Sequence, residues 1–454
     1  MPAVADAPAD PASAGAEALP DWAGGTDAHG APHAHLLPDA AAWFRRAAAS
    51  PDAAEPAFRG TITKLAALCD RRGLPAFAPD RRAHRLPADL LAAAKAAGVK
   101  RDDPSRTLLR TVQTKATPTP PDWDDAAAPG FQSDAAAVGL LRSDWGRKSD
   151  ALALAWPPGS ERGRPAPVGL ELRAFGRRLL CGAWGLSLMV DGEPVDVGGD
   201  GWACVCHHAD FDGGYLELQW AGDSAAGPVR VERQAFLSRR GHFAVLSDAV
   251  SFPRDLGRGS RGCDAAVEHA QALPLAGTGR KRVTAGVAGD TREARLYGGR
   301  PDRPRQRARA FPLNLPQETH DPADGAVTAD DAGVAQDEDA ARPGSLSAGW
   351  LTVRSAGRGG LCSPVVLDWH PDREDRRADW RALTVTENRR RLRENEAAAH
   401  RLRVGRKHHL LLYRRTDGTD RPGEPRAVLG HHHDRETLIA NVSKTGDIEP
   451  LLAV

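Results

Sequence analysis

From Ala137 onward the chain is a succession of short runs in which apolar and polar residues alternate. "AVGLLRS", "DALALAW", "VGLELRAFG", "RRLLCGAW", "GYLELQW", "VRVERQAFLSRR" and "HFAVLSDAVSF" follow one another, and "GWLTVRS", "SPVVLDWH", "LTVTE", "AHRLRVG", "HHLLLYRR" and "ETLIANV" continue the series. A period of two sends successive side chains to opposite faces of an extended backbone. Strands this short, separated by Gly, Pro and Asp and uninterrupted by any long helical pattern, can bury their apolar faces only against one another. The expected fold is mostly β, a large antiparallel super-sandwich over 131–454.

A short α-helical region is expected ahead of it. Residues 1–37 are rich in Ala, Pro, Asp and Gly without periodicity and read as a disordered N-terminal segment. Within 38–130, "PDAAAWFRRAAAS" and "TITKLAALCDRRG" read as helices, and so does "LPADLLAAAKAAGVK". The second places Ile62, Leu65, Leu68 and Cys69 on one stripe and stops at Gly73. A Pro/Asp-rich linker, 117–130, follows. The acidic, Pro/Gly-rich stretch 316–348 reads as a mobile surface insertion.

A chain of 454 residues with 27% charged residues and a net charge of +1 offers no electrostatic case for nucleic acid or an anionic membrane. A protein partner or a second copy of the chain remains open. No apolar run approaches the length of a membrane span. The N-terminus has neither the basic nor the apolar region of a secretory signal, so the expected compartment is cytoplasmic. Six cysteines without a CxxC pair describe neither a disulfide scaffold nor a zinc ribbon.

The densest group of potential ligands is "CVCHHADFDGGYLELQW", 204–220. His207 or His208 with Asp210 or Asp212 could hold a divalent metal. Adjacent histidines in a strand point to opposite faces, however, and "DFDGG" is turn chemistry. The favoured reading is a strand, a polar corner and a half-buried second strand, with Cys204 and Cys206 as packing residues on one face. No cofactor is expected. The internal "GHHHDRE" (430–436) reads as a polar loop rather than a metal site, and Trp369 and Trp380 could stack on sugar rings or close a sandwich edge.

The order of the β segments resembles the C-terminal β-sandwich of the heparinase II/III family of polysaccharide lyases. "GLLRSDW" (139–145) is similar to its opening, "LELRAFGRRLLCGAWG" (170–185) to a strand, turn and strand ending at a glycine bend. "VERQAFLSRRGHFAVLSDAV" (231–250) is similar to an Arg-led strand followed by an apolar strand ending in Asp. The closing strands over 383–454 fit as well, so the likeness covers 139–454. It implies an acidic, uronate-containing glycan as partner and carbon–oxygen lyase chemistry, in a family that is usually periplasmic or envelope-associated.

Two departures stand beside it. Where the family carries a His-x-His-x-Asp-like element, "GSERGRPAPVG" (159–169) has no histidine, and 38–98 is too short for the family's helical toroid. Elimination on a uronate needs a base for the C5 proton, a donor for the leaving oxygen and a cation for the carboxylate. Tyr215, His208 and Arg233 are the candidates for catalytic groups; Arg173, Arg239 and Trp369 are the candidates for substrate contact. With the histidine element missing, no unsaturated product is expected from common uronates. The alternatives are a non-catalytic glycan-binding or assembly module and a metal-dependent hydrolase centred on 207–212.

Overall fold

The structure is a computed structural model. It describes Leu68, Ala76, Phe77, Leu91, Lys95 and residues 130–454 other than 135–136, 145–147, 157–166, 199–200, 254–263, 278–281, 301, 318–324, 332–346 and 418–424.

The alternating runs form antiparallel strands grouped in four sheets. Sheet I has ten strands and runs from Phe131–Ser133 through Ala266–Ala276 to Ala326–Asp331. Sheet II has eight, with Gly213–Ser224, Gly227–Ser238, Phe243–Ser251 and Gly360–Asp368 at its centre and Ala203–Ala209 at one edge. Sheet III has five, centred on Ala397–Val404 and His408–Arg415, and sheet IV has four short strands.

The sheets stack in the order I, II, III, IV, as the buried clusters show. Leu141, Leu154 and Leu172 of sheet I meet Leu216, Leu246 and Leu367 of sheet II. The other face of sheet II supplies Phe236, Val245 and Phe311 to a core with Leu402, Leu410 and Leu412 of sheet III. Leu411 and Leu438 then pack on Val385 and Val428 of sheet IV. In "HHLLLYRR" the period of two therefore divides one apolar run between two cores: Leu410 and Leu412 face inward, Leu411 and Tyr413 outward. Sheets I and II approach so closely at Gly139 that a Cβ there would lie 2.5 Å from Leu216 Cδ1. Only glycine fits.

Stacking four deep changes several expectations. Over 213–218 the strand Gly213–Ser224 is buried on both faces rather than one: Leu216 and Leu218 face sheet I, while Tyr215 and Glu217 are buried toward sheet III. Trp369 and Trp380 are buried in the two inner cores, and the Trp380 indole donates to the Leu315 carbonyl at 3.0 Å. His431–His433 is a strand of sheet IV, not a loop. Within the expected insertion 316–348, Ala326–Asp331 pairs as a strand with Ser347–Arg358; much of the remainder lies outside the described residues.

No α-helix is among the described elements, where the one helical turn is the 3-10 segment Pro371–Arg373. The described elements therefore do not support a short α-helical region; Leu68, Leu91 and Lys95, inside two of the expected helices, are single helical positions, and 1–37 and nearly all of 38–129 lie outside the described residues. Leu68, Ala76 and Phe77 do pack on the outer face of sheet I, against Val138, Leu140, Ala151, Ala153 and Ala155. Glu171 accepts the Phe77 amide at 2.7 Å, and Arg173, ion-paired to Glu171 at 2.5 Å, donates to the Leu68 carbonyl. Burial opposes the Glu171 charge, but Arg173, Arg178 and the Phe77 amide outweigh it and lower its pKa to about 2. Arg173 thus ties an N-terminal segment to the sandwich and is not turned toward a ligand groove.

Candidate functional site

The sequence candidates do not converge. Tyr215 is 1% exposed and donates to Glu217 at 2.5 Å. Behind it, Arg414 of sheet III reaches Glu217 at 2.7 Å, Glu232 at 2.5 Å and Thr437 at 2.6 Å. Gln234, with its amide oxygen turned to the guanidinium, accepts from Nε at 2.8 Å. Tyr215, Gln234, Arg414 and Thr437 border a cavity of about 20 Å³ between sheets II and III, room for about one water and too small for a sugar. Glu217, Glu232 and Glu436 converge closely enough to ligate a metal. Arg414 Nη2 already sits among them, at 2.7, 2.5 and 3.1 Å, so the position of a cation is taken by the guanidinium.

Arg233 is buried between sheets I and II. It donates to the Trp184 and Gly185 carbonyls, lies over the Trp184 ring, and pairs with Asp248 at 3.2 Å. Asp248 in turn contacts His269 Nε2 at 3.0 Å. This is an interlayer charge network, and its side chains are closed to a polysaccharide.

The edge strand Ala203–Ala209 carries a bulge at Val205. Cys204 pairs with Leu218 and Cys206 with Glu217, so the register slips by one residue between them. A one-residue slip turns the following side chains to the opposite face. Cys204 therefore packs against the core shared with sheet I and Cys206 against that shared with sheet III, not on one face. Beyond the bulge His207 and His208 alternate as expected. Asp210 is the turn residue: Oδ1 accepts the amides of Asp212 and Gly213, each at 2.9 Å, and Oδ2 meets His208 Nε2 at 3.0 Å. Arg239 donates its amide to the Asp212 carbonyl, and Asp210 and Asp212 act on its side chain. The corner is locally satisfied, with Phe211 exposed at its tip.

The same end of sheet II carries an arrangement that sequence reading passed over. His242, in the turn before Phe243–Ser251, has Nδ1 2.8 Å from Asp150 Oδ2. The Asp150 carboxylate is fully buried, while the imidazole is 32% exposed. Asp150 Oδ1 accepts the Phe175 amide at 2.6 Å, and the Phe175 ring lies 4.6 Å from the imidazole. Both Phe175 (φ 49°) and His242 (φ 51°) occupy the left-handed region, a cost that a fold tolerates where the surroundings dictate the position.

His370 sits on the other side of His242, ring centroids 5.6 Å apart. Its Nδ1 accepts the Asp372 amide at 3.2 Å, and burial, Arg373 and His242 lower its pKa while Asp368 and Asp372 oppose. The two histidine segments are tied together. Trp369 donates its amide to the His242 carbonyl at 3.0 Å, Asp368 binds Arg373 through both oxygens at 2.8 and 2.9 Å, and Arg373 also donates to the Gly241 carbonyl.

These hydrogen bonds assign complementary tautomers. His242 gives its Nδ1 proton to Asp150, so in the neutral ring Nε2 is the acceptor; His370 accepts at Nδ1 and carries its proton on Nε2 as a donor. The arrangement can take a proton at one ring and stabilise developing negative charge at the other. The "SRRGH" turn and "DWHPD" hold these residues in the sequence, but Asp150 lies 92 positions from His242. No spacing motif links them.

No protein-family model matches the chain, and no curated protein sequence matches it. Among solved structures it is similar to an amine oxidase of Aspergillus nidulans, at 10% identity over 57% of this chain and 56% of that one, with a TM-score of 0.27. It is also similar to 4-alpha-glucanotransferase from Thermococcus litoralis, at 9% identity over 74% of this chain and 49% of that one, with a TM-score of 0.28. The chain spans about half the length of each, and at this level of likeness neither bears on activity or ligand.

Proposed function

We propose that this chain is a heparinase II/III-like relative that recognises an acidic, uronate-containing glycan at the rim formed by His242, His370 and Phe175. The observation that carries the reading is the partly exposed His242 imidazole, oriented through Nδ1 by the fully buried Asp150 carboxylate. A buried carboxylate that fixes one tautomer is how a histidine is kept ready as a base.

The missing histidine element gave reason to expect no product. His242 offers a base from a different part of the chain, and in the proposed reaction its Nε2 takes the proton at C5. The C–H electron pair becomes the C4–C5 double bond, and the C4–O bond breaks. The departing oxygen is met by the His370 Nε2 proton and is finally protonated from that ring or from solvent, leaving one unsaturated and one saturated chain end. Two-electron elimination balances without an oxidant.

The test follows the ultraviolet absorbance of unsaturated uronate during incubation with oligogalacturonate, heparin fragments and alginate. Product formed by the wild type and lost in His242→Ala and Asp150→Asn supports the reading. Binding without product selects the non-catalytic glycan module instead. The absence of both binding and product overturns the proposal.

A further inference from the structure

We infer that Arg177, Arg305 and Arg307 form an anion subsite beside the histidine rim, which takes a carboxylate or sulfate carried by a neighbouring sugar of the bound chain. This rests on the reading of the rim given above.

The three arginines come from two sheets. Arg177 opens the strand Arg177–Ala183 of sheet I, two residues after Phe175, whose ring lies against His242. Arg305 and Arg307 lie on Arg303–Pro312 of sheet II. The pairing of that strand with Ala294–Arg300 is irregular here, Tyr297 matching Gln306 but Leu296 matching Ala308, so Arg307 falls at a bulge. Its stem lies across Gly298, where a Cβ would stand 3.2 Å from Cγ and 3.3 Å from Nε. A side chain at 298 would crowd the Arg307 stem, and glycine leaves it room.

Arg177 and Arg305 both act on Arg307 as like charges, and Glu374 is the acidic group acting on it. Glu374 follows the 3-10 turn after His370, and its carbonyl accepts from Gln306 at 3.2 Å. The subsite therefore borders the rim on both sides, through Phe175 and through the His370 turn. Around Arg307, two further guanidinium groups thus stand against a single carboxylate, and the local balance is positive. Arg177 and Arg305 are exposed and Arg307 half-buried, so the charge is open to a ligand. Guanidinium forks match the planar oxygens of carboxylate and the oxygens of sulfate alike.

A single charged sugar at the rim would leave this charge unmet. The prediction is selectivity for chains with charged groups on adjacent sugars.

The experiment measures binding of a fluorescent galacturonate hexamer, a dextran sulfate fragment and neutral maltohexaose to the full chain. The variants are Arg177→Gln, Arg307→Gln and Gly298→Val, with His242→Ala alongside; thermal melting checks folding. The wild type is expected to bind one or both polyanions and not maltohexaose, the preferred polyanion naming the anion. Each arginine variant is expected to bind roughly tenfold more weakly, the weight of one charge-assisted contact, with a smaller dependence on salt. Gly298→Val should weaken binding in the same direction.

Arginine variants that bind as tightly as the wild type overturn the subsite and leave the rim proposal standing. Weakened binding by the arginine variants, with no product from any uronate, upholds the subsite and removes the elimination chemistry. A wild type that binds neither polyanion overturns both.

Discussion

Replacing His400 with leucine should flatten the acid branch of the stability curve. His400 lies on Ala397–Val404 of sheet III and lines the small cavity facing sheet II. It is 5% exposed. Burial lowers its pKa to about 4, the Leu313 backbone opposing the shift. The unfolded chain, with an imidazole near 6.5, binds the proton first, so stability is complete above about pH 6.5 and declines as the pH falls toward 4. At 1.36 kcal/mol per unit, the part due to His400 is about 2 kcal/mol between about pH 7.5 and pH 5, and about 3 kcal/mol in full. Urea titrations at those two pH values, followed by both tryptophan fluorescence and circular dichroism, measure it. His400→Leu should lose about 2 kcal/mol less than the wild type over the interval, with an unchanged dependence on urea. Equal losses in the two proteins would refute the burial argument.

Three further outcomes follow from the packing. Removing residues 1–129 should uncover Val138, Leu140 and the alanines of the outer face and strip Glu171 of the Phe77 amide. A loss of about 3 kcal/mol or more is expected, and a truncated chain melting at the wild-type temperature would contradict it. Arg233→Met should cost about 3–5 kcal/mol by stranding Asp248 beside His269, and adding Asp248→Leu should restore much of that; the double-mutant cycle reads the coupling. Asp210→Ala should cost about 1 kcal/mol through the lost turn bonds and leave the metal content, read by elemental analysis, unchanged; one equivalent of zinc lost in this variant would contradict the turn role.

The likeness to heparinase II/III sandwiches remains a proposal carried by segment order, while the mostly antiparallel β architecture is directly visible. Alternation along "GYLELQW" and "HHLLLYRR" is a local property of the chain, because the pleat alone decides which residues share a face. What lies beyond each face is not local. In one dimension Tyr215 is a candidate catalytic group, and Trp369 could either stack on a sugar or close a sandwich edge. They are buried because sheet III covers the second face of sheet II and sheet I covers its first.

Single residues can also override the pattern. Val205 is ordinary in "CVCHH", yet the bulge there sends Cys204 and Cys206 to different cores, since register depends on the partner strand. Asp210 as a turn former was legible, because its bonds to Asp212 and Gly213 span two and three residues. The Asp150–His242 pair was not, because it joins residues just ahead of strands in two different sheets, 92 positions apart. The sequence by itself determined the predominance of strands and the turn chemistry at corners such as 210–213, both set by neighbours along the chain. Which polar residues meet, and which are sealed away, was decided by the stacking of sheets, where contact depends on distance in space.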